Sequence, residues 1–322
     1  MAVPNFLKKI QKEEWIIISS GIISFCLVNF YFHRPYKIYI FNLLQRFNTW
    51  MTDLYLYPFL IFIVYYQYLK RKTDTPNQSF SKSLFNWLRD LYLFIQPLND
   101  YCNLKNLVPL VNPKLYDNFL WNIDKKIFMG ISPTLFLSKH ANLFWDKIFD
   151  ATYSYVFPGL LIFGIFVYLS MGRTELRKFL FCYGLTYYLG LLGYYLLPSL
   201  GPLFTKYELL YKNRHFEFVQ NVYRLLVYDR YHLLKDPLNY IPHFATGIAA
   251  FPSLHVAHYF IFVLYSRKFK NLKWLFGIIL LIFILAYIAT IYVGMHYFID
   301  GIGGILLTLF SYYFAEKMVK KI

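Results

Sequence analysis

The chain has 322 residues, of which 58% are hydrophobic, 22% aromatic and only 16% charged. Soluble domains contain about 25% charged and about 45–50% apolar residues, so this composition favours an integral membrane protein. The net charge of +16 does not indicate nucleic-acid binding, because the basic residues cluster beside apolar segments, as they do at the cytoplasmic ends of membrane helices. The cysteines Cys26, Cys102 and Cys182 lie far apart, which excludes a disulfide framework and metal-ligand spacing.

Seven apolar segments have the length of a helix that spans about 30 Å of hydrocarbon, which takes roughly 20 residues. They cover residues 16–32, 52–69, 151–171, 179–197, 246–265, 274–293 and 296–314. No small-residue cleavage site follows the first segment, so we expect it to be an uncleaved span. The sequence therefore predicts an all-α integral membrane protein.

Two further segments are typical of helices that lie in the membrane interface rather than cross it. In residues 83–95, apolar side chains recur at helical spacing on one face, with Arg89 and Asp90 on the other. That pattern favours an amphipathic interfacial helix. Residues 36–50 are interpreted as a second helix of this kind.

Basic loops predict the topology of the C-terminal part. Residues 172–178, residues 266–273 and the C-terminal tail are rich in Lys and Arg, which places them together on the cytoplasmic face. Residues 198–245 and the turn at 293–296 then share the opposite, non-cytoplasmic face. That face is the periplasm of a bacterial inner membrane or the lumen of a secretory compartment.

The N-terminal part does not fit this scheme. The lysines before the first span and the basic cluster at residues 70–72 also indicate the cytoplasm, yet two crossings then put residue 150 on the wrong side. Either a crossing is hidden in residues 73–150 or one of the basic clusters is misread.

Two short segments carry the polar residues that stand out against the apolar background. Residues 251–258 open the fifth span, and residues 293–301 open the seventh. Both lie on the face opposite the basic loops, and the sixth span is long enough to return the chain. We therefore expect the two segments to lie close together, and ionisable residues at such places are functional candidates.

His296 and Asp300 are four residues apart and share one helix face, where a carboxylate fixes the imidazole tautomer and activates the other nitrogen as a nucleophile. His255 is placed to act as a general acid on a leaving oxygen. Pro252 is favoured at a first helical position, which leaves the following N–H groups free for a phosphate. Each feature alone has an ordinary structural explanation, but together they predict a catalytic site. His258 could join it or simply lie on the helix.

The segments Pro252-Ser253-Leu254-His255 and His296-Tyr297-Phe298-Ile299-Asp300 resemble two motifs of the type 2 phosphatidic acid phosphatase superfamily, Pro-Ser-x-His and His-x-x-x-Asp. The resemblance implies a six-helix transmembrane core, with extra membrane and interfacial helices before it. It also implies a phosphohistidine on His296 oriented by Asp300, His255 as the acid and Ser253 as a phosphate contact. No metal or other cofactor is needed in that mechanism. We accordingly divide the chain into N-terminal anchoring helices (1–145) and a catalytic transmembrane domain (146–322).

The chain also departs from the superfamily's pattern. The first motif, Lys-x6-Arg-Pro, is absent from residues 198–245, and Thr290 stands where an Arg is expected six residues before His296. The candidates for the missing cations are Lys206, Lys212, Arg214 and Arg224. Each of these may equally face lipid headgroups, and His243 is likewise undecided.

The departures resemble the inositol phosphorylceramide synthase branch, in which Pro-Ser-Leu-His, His-Tyr-Phe-x-Asp and a leading Pro-x-x-Gly-Pro occur. The resemblance covers about residues 120–314, with less specific similarity at residues 124–133 and 146–155. It implies a transferase that moves a phospho-headgroup, phosphoinositol from phosphatidylinositol, to a lipid hydroxyl on ceramide or diacylglycerol. The alternatives are a lipid phosphate phosphatase that uses water at the same site and, from another class, a non-enzymatic channel or transporter.

Overall fold

The computed structural model describes residues 10–39, 80–211, 214–243, 249–269 and 272–320. Within these ranges the regular structure is entirely helical, which confirms the all-α prediction. The expected span at residues 52–69 and the candidate Lys212 lie outside the described residues. Of the second interfacial helix, only Tyr36–Tyr39 is described, and it is not helical.

The described helices are numbered here in chain order. They are α1 (Lys12–Cys26), extended by a π-helical turn (Leu27–Tyr31), α2 (Phe80–Lys105), α3 (Val108–Val111), α4 (Asp117–Ile127), α5 (Pro133–Lys139), α6 (Leu143–Ser154), α7 (Val156–Met171), α8 (Arg173–Leu196), α9 (Pro202–Thr205), α10 (Tyr207–Leu210), α11 (Phe218–Lys235), α12 (Leu254–Ser266), α13 (Lys273–Tyr292) and α14 (Phe298–Met318).

Four of the described helices are long and apolar enough to cross a membrane: α1 with its extension, α8, α13 and α14. The pair α6 and α7, bent by 58°, makes a fifth if it counts as one span. Helix α12 has only 13 residues, about 20 Å at 1.5 Å per residue. It is shorter than the span predicted at 246–265, because it begins only at Leu254. These helices are those of a membrane protein, while the six-helix core and the domain division at residue 145 stay predictions.

Helix α2 corrects the prediction of an interfacial helix at residues 83–95. This segment belongs to a 26-residue helix that packs lengthwise against α8. Near one end, Asp90 pairs with Arg177 in the first turn of α8. Near the other end, the Tyr195 hydroxyl of α8 donates to the Leu104 carbonyl at 2.6 Å. The two helices therefore lie side by side and run in the same direction.

The polar residues of α2 misled the sequence interpretation because they form ion pairs between helices instead of facing water. The Arg177 side chain is fully buried, with Nη2 2.7 Å from Glu13 Oε1 of α1 and Nη1 3.0 Å from Asp90 Oδ1 of α2. Arg89 pairs with Glu14 of α1. Buried charges persist when each has a partner, so these contacts tie the starts of α1 and α8 to the first half of α2.

Helix α1 runs in the same direction as α2 and α8. It begins beside Arg177, and further along, Ile17 lies against Gly184 of α8. Helices α1 and α2 thus both start at the end of the bundle that carries the basic loop 172–178. Helix α2 is not among the described helices that are long and apolar enough to cross a membrane. A crossing hidden in residues 73–150 and a misread basic cluster therefore both stay predictions.

Glycines allow the segment before α12 to lie between two helices. A Cβ atom at Gly193 of α8 would lie 2.3 Å from Pro252 Cδ, and one at Gly304 of α14 would lie 2.4 Å from the Ser253 carbonyl oxygen. Such distances are far below van der Waals contact, so only glycine permits this approach. The packing fixes the start of α12 beside the start of α14.

Candidate active site

The two predicted motifs meet at one end of the helix bundle. The rings of His255, in the first turn of α12, and His296, in the turn before α14, have centroids 5.6 Å apart. His296 is buried, with 4% of its surface exposed, and His255 is half-buried. Helix α13 returns the chain between them, as the sequence spacing predicted.

A backbone carbonyl sets the tautomer of His296. Its Nδ1 lies 2.9 Å from the Ala250 carbonyl oxygen, and a carbonyl only accepts hydrogen bonds. Nδ1 therefore carries the proton, which leaves the lone pair on Nε2. The nucleophilic atom of His296, if it acts as one, is Nε2.

Asp300 is less directly involved in orienting His296 than the sequence predicted. Its Oδ2 lies 3.5 Å from Nδ1 of His296 and accepts a hydrogen bond from the Tyr297 N–H at 2.9 Å. Its Oδ1 is buried and has no hydrogen-bond partner among the described residues. The carboxylate thus caps α14 and places a negative charge beside the imidazole. The hydrogen bond from Nδ1 of His296 goes to the Ala250 carbonyl oxygen.

The imidazole of His255 stacks on an aromatic ring that was not among the predicted site residues. The Tyr153 ring of α6 stacks on the imidazole, with centroids 4.0 Å apart and planes inclined by 17°. The same ring lies 6.4 Å from that of His296. Tyr153 therefore limits the orientations open to His255 and forms one wall of the site.

Pro252 and Ser253 have different places from those predicted. Ser253 is the N-cap of α12, with Oγ accepting from the Val256 N–H at 3.3 Å, so Pro252 precedes the helix instead of opening it. The Phe251–Pro252 peptide bond is cis. The Ser253 N–H donates to the Asp300 carbonyl at 2.9 Å, which joins the two motifs through the backbone. The prediction that Pro252 occupies the first helical position is wrong, whereas a phosphate contact from Ser253 stays a prediction.

Two carboxylates of α4 hold the backbone around the site. Asp117 accepts hydrogen bonds from the N–H groups of Leu200 and Gly201 and from the Tyr297 hydroxyl. Asp124 accepts from the N–H groups of Phe298 and Ile299 at 2.7 and 3.0 Å, which satisfies the first turn of α14. No local pattern marks either residue, although Asp124 falls in a segment with similarity to the synthase branch.

Burial raises the pKa of Asp124 to about 6, and the nearby charge of Asp300 adds to this effect. The two backbone hydrogen bonds act in the opposite direction because they stabilise the carboxylate.

Among the predicted cations, Arg214 is built into the protein most firmly. Its side chain is 4% exposed and packs on the rings of Phe216 and Tyr292. Nε lies 3.0 Å from Asp146 Oδ1, and Nη2 lies 3.4 Å from the Tyr292 carbonyl. Nη1 is buried without a hydrogen-bond partner in the described part of the chain. Arg214 is thus fixed against Tyr292, four residues before His296, with one donor unused.

The other predicted residues have more peripheral places. Lys206 is partly exposed over the Trp121 ring, with Nζ 5.9 Å from its centroid. Arg224 is exposed on α11. His258 is buried against the rings of Tyr183 and Tyr187, on the helix rather than at the paired histidines.

His243 is largely exposed, and its Nδ1 lies 2.7 Å from Asp229 Oδ1. In the described ranges, no group of three or more His, Cys, Asp or Glu side chains is arranged to hold a metal ion. The expectation of a metal-free mechanism stays a prediction.

Fold and site together define an all-helical membrane protein in which two histidines and an aspartate meet at helix starts. Residues 118–314, more than half of the chain, match the sequence model of the PAP2 superfamily, and the chain belongs to this superfamily. Membership supports an enzyme, a phosphatase or a phosphotransferase, for which lipid phosphates of the membrane are plausible substrates.

The chain is also similar to an uncharacterized protein of Methanocaldococcus jannaschii. The two are 29% identical over 230 residues, which cover 71% of this chain and 77% of that protein. No solved structure matches the chain significantly.

Proposed function

We propose that this protein is a membrane lipid phosphotransferase that moves a phospho-headgroup to a lipid hydroxyl through a phosphohistidine on His296. The observation that carries the proposal is the pairing of His255 and His296, 5.6 Å apart, with Nδ1 of His296 held by the Ala250 carbonyl. One imidazole then presents a lone pair, and the other is near enough to exchange a proton with the reacting oxygen.

In the first half-reaction, Nε2 of His296 attacks phosphorus and the bond from phosphorus to the diacylglycerol oxygen breaks. His255, protonated at the start, gives its proton to that oxygen, so diacylglycerol leaves as a neutral alcohol. The negative charge of Asp300 stabilises the positive charge that develops on the His296 ring.

The second half-reaction reverses these roles. The acceptor hydroxyl gives its proton to His255 while its oxygen attacks phosphorus, and the Nε2–P bond breaks. Both histidines return to their starting states. With water as acceptor the same steps release a phosphate monoester or phosphate, which is the phosphatase alternative.

The cations of the site favour a diester substrate. A phosphodiester carries one negative charge where a monoester carries nearly two, so it needs fewer cations. The first-motif Lys and Arg are absent, and Arg214 is already paired with Asp146. This charge count supports transfer of a diester headgroup, with phosphatidylinositol as donor and ceramide as acceptor by resemblance to the synthase branch.

The test is a lipid-exchange assay on detergent-purified protein. Wild type, His296→Ala and the control His140→Ala, an exposed histidine on a loop, receive labelled phosphatidylinositol with and without ceramide, and phosphatidic acid in parallel. We expect ceramide-dependent transfer in wild type and control and a loss of roughly 10³-fold or more in His296→Ala, as for other nucleophiles.

Other outcomes would change the assignment. Release of phosphate from phosphatidic acid with no response to ceramide would make the protein a phosphatase. Unchanged activity in His296→Ala would refute the catalytic site itself.

A further inference from the structure

Lys105 is the last residue of α2 and lies before the segment 118–314 that matches the superfamily. Its Nζ lies 5.4 Å from the ring centroid of Tyr101 and 5.7 Å from that of Tyr194. No carboxylate in the described part of the chain forms an ion pair with Lys105. Aromatic faces stabilise an ammonium only partly, so this charge is left without a counter-ion.

The surroundings of Lys105 place it at the catalytic end of the bundle. The Tyr195 hydroxyl donates to the carbonyl of Leu104, the preceding residue, at 2.6 Å, and Asn112 Nδ2 donates to the Tyr195 carbonyl at 2.8 Å. These contacts fix the end of α2 against the end of α8. Helix α8 in turn packs on the start of α12, where a Cβ atom at Gly190 would lie 2.7 Å from Leu254 Cδ2.

The charge of Lys105 also reaches the reacting groups. It interacts electrostatically with His255. Both of its aromatic neighbours, Tyr101 and Tyr194, interact with Tyr153, the ring on which His255 stacks. Lys105 is therefore linked to His255 in two ways, by a direct electrostatic interaction and through tyrosine rings that interact with one another.

The other cations near the site are less suited to hold an anion alone. The charge of Arg214 is largely balanced by Asp146. Lys206 is partly exposed over Trp121, and Arg224 is exposed. Lys105 combines partial burial, a charge without a carboxylate partner and an electrostatic interaction with His255.

We propose that Lys105 binds the phosphate group that is transferred. The positive charge that the superfamily's first motif would provide then comes from a residue of α2. The inference rests on the proposed function and deepens it. Its consequence is that the catalytic unit includes α2, and not the family segment alone.

The test measures binding of orthovanadate, a phosphate analogue, by its protection of the purified full-length protein against thermal unfolding. The variants are Lys105→Met, Lys105→Gln and Lys105→Arg. The matched control is Lys114→Met, because Lys114 also lies over a tyrosine ring, Tyr116, but is exposed. Headgroup transfer is measured on the same samples.

We expect the vanadate dissociation constant to rise about 10-fold or more in the two neutral variants, as for loss of a charged hydrogen bond. Lys105→Arg should stay within about 3-fold of wild type, and Lys114→Met should be unchanged. Using two neutral variants keeps the test decisive if one of them folds poorly without vanadate.

Three unfavourable outcomes can be distinguished. If wild type binds vanadate and transfers a headgroup, and a folded Lys105→Met does both equally well, the assignment of Lys105 is wrong while the proposed function stands. If wild type neither binds vanadate nor transfers a headgroup, the proposed function itself fails. If all three Lys105 variants lose thermal stability and none changes vanadate affinity, Lys105 is structural only.

Discussion

Asp124 shows at the scale of one residue how the site can depend on pH. Its carboxyl group caps α14, and burial raises its pKa to about 6, above the value of about 3.9 in an unfolded chain. Between pH 4 and 6 the folded protein therefore binds more protons than the unfolded chain. For this reason the contribution of Asp124 to the free energy of unfolding falls as pH rises through this range.

Asp124→Asn removes this titration and keeps one oxygen acceptor. We expect its melting temperature relative to wild type to rise between pH 4 and pH 7 and to be constant above that. The exposed Asp236→Asn serves as the control for an Asp-to-Asn change away from the site. A pH-independent difference for Asp124→Asn would show that the carboxyl group does not titrate in this range.

The substitution Asp300→Asn tests the negative charge of Asp300 separately from the hydrogen bond with which this residue caps α14. The amide oxygen can still accept from the Tyr297 N–H, which Asp300 Oδ2 now does at 2.9 Å, so stability should change little. The lost negative charge should lower kcat by about 10–100-fold, the usual effect of a residue that supports a catalytic ligand. Headgroup transfer at saturating substrate is the measurement, and full activity would restrict Asp300 to capping.

At this scale the sequence predicted the residues with a local signature and missed those without one. His255, His296 and Asp300 stand out by spacing against an apolar background. Asp117 and Tyr153 come from helices distant in sequence, and only tertiary packing brings them to the candidate site. Pro252 was misplaced because Ser253 is the better N-cap.

At the scale of elements, the close approach of α12 and α14 gives a test of packing. At Gly304 a methyl group would meet the Ser253 backbone at 2.4 Å, whereas at Gly277 of α13 nothing lies within 4 Å. Gly304→Ala should cost about 1–3 kcal/mol and displace Ser253, lowering activity. Gly277→Ala should be neutral or stabilising by about 0.5–1 kcal/mol. Comparable melting temperatures for the two variants would contradict the packing.

The ion-pair cluster joining α1, α2 and α8 is the second test among elements. Arg177→Met leaves the buried Glu13 without its ion-pair partner, while Asp90 keeps its pair with Arg173, so we expect a loss of about 3–5 kcal/mol of stability. Because the cluster lies at the end opposite the histidines, turnover per folded molecule should be unchanged. The exposed Lys317→Met is the control, and thermal unfolding with parallel headgroup transfer is the measurement.

Hydropathy predicted the apolar helices but could not predict α2. Its polar residues are matched by charges on α1 and α8, and such complementarity between distant segments has no signature in a single window of sequence. The start of α12 was placed too early for a related reason, since the apolar run at 246–265 is interrupted by a cap that hydropathy does not register.

For the whole molecule, parallel α1, α2 and α8 predict which positions share a side of the membrane. Lys12 and Lys317 lie at the end with loop 172–178, while Met129, which is 96% exposed, follows α4 at the histidine end. In a Cys26→Ser background, Lys12→Cys and Lys317→Cys should react alike with a membrane-impermeant maleimide in sealed vesicles. Met129→Cys should react from the opposite side, and labelling of all three from one side would contradict this topology.

The hydrogen bonds that Asp117 and Asp124 accept from the start of α14 have a consequence for how the protein is made. Their partners in the segment 297–299 lie 174 to 180 residues further along the chain. During synthesis both carboxylates emerge well before these partners, so the start of α14 gains these hydrogen bonds only after α14 itself has been made. On the proposed mechanism, the site is therefore completed only late in translation, after α14 has been made.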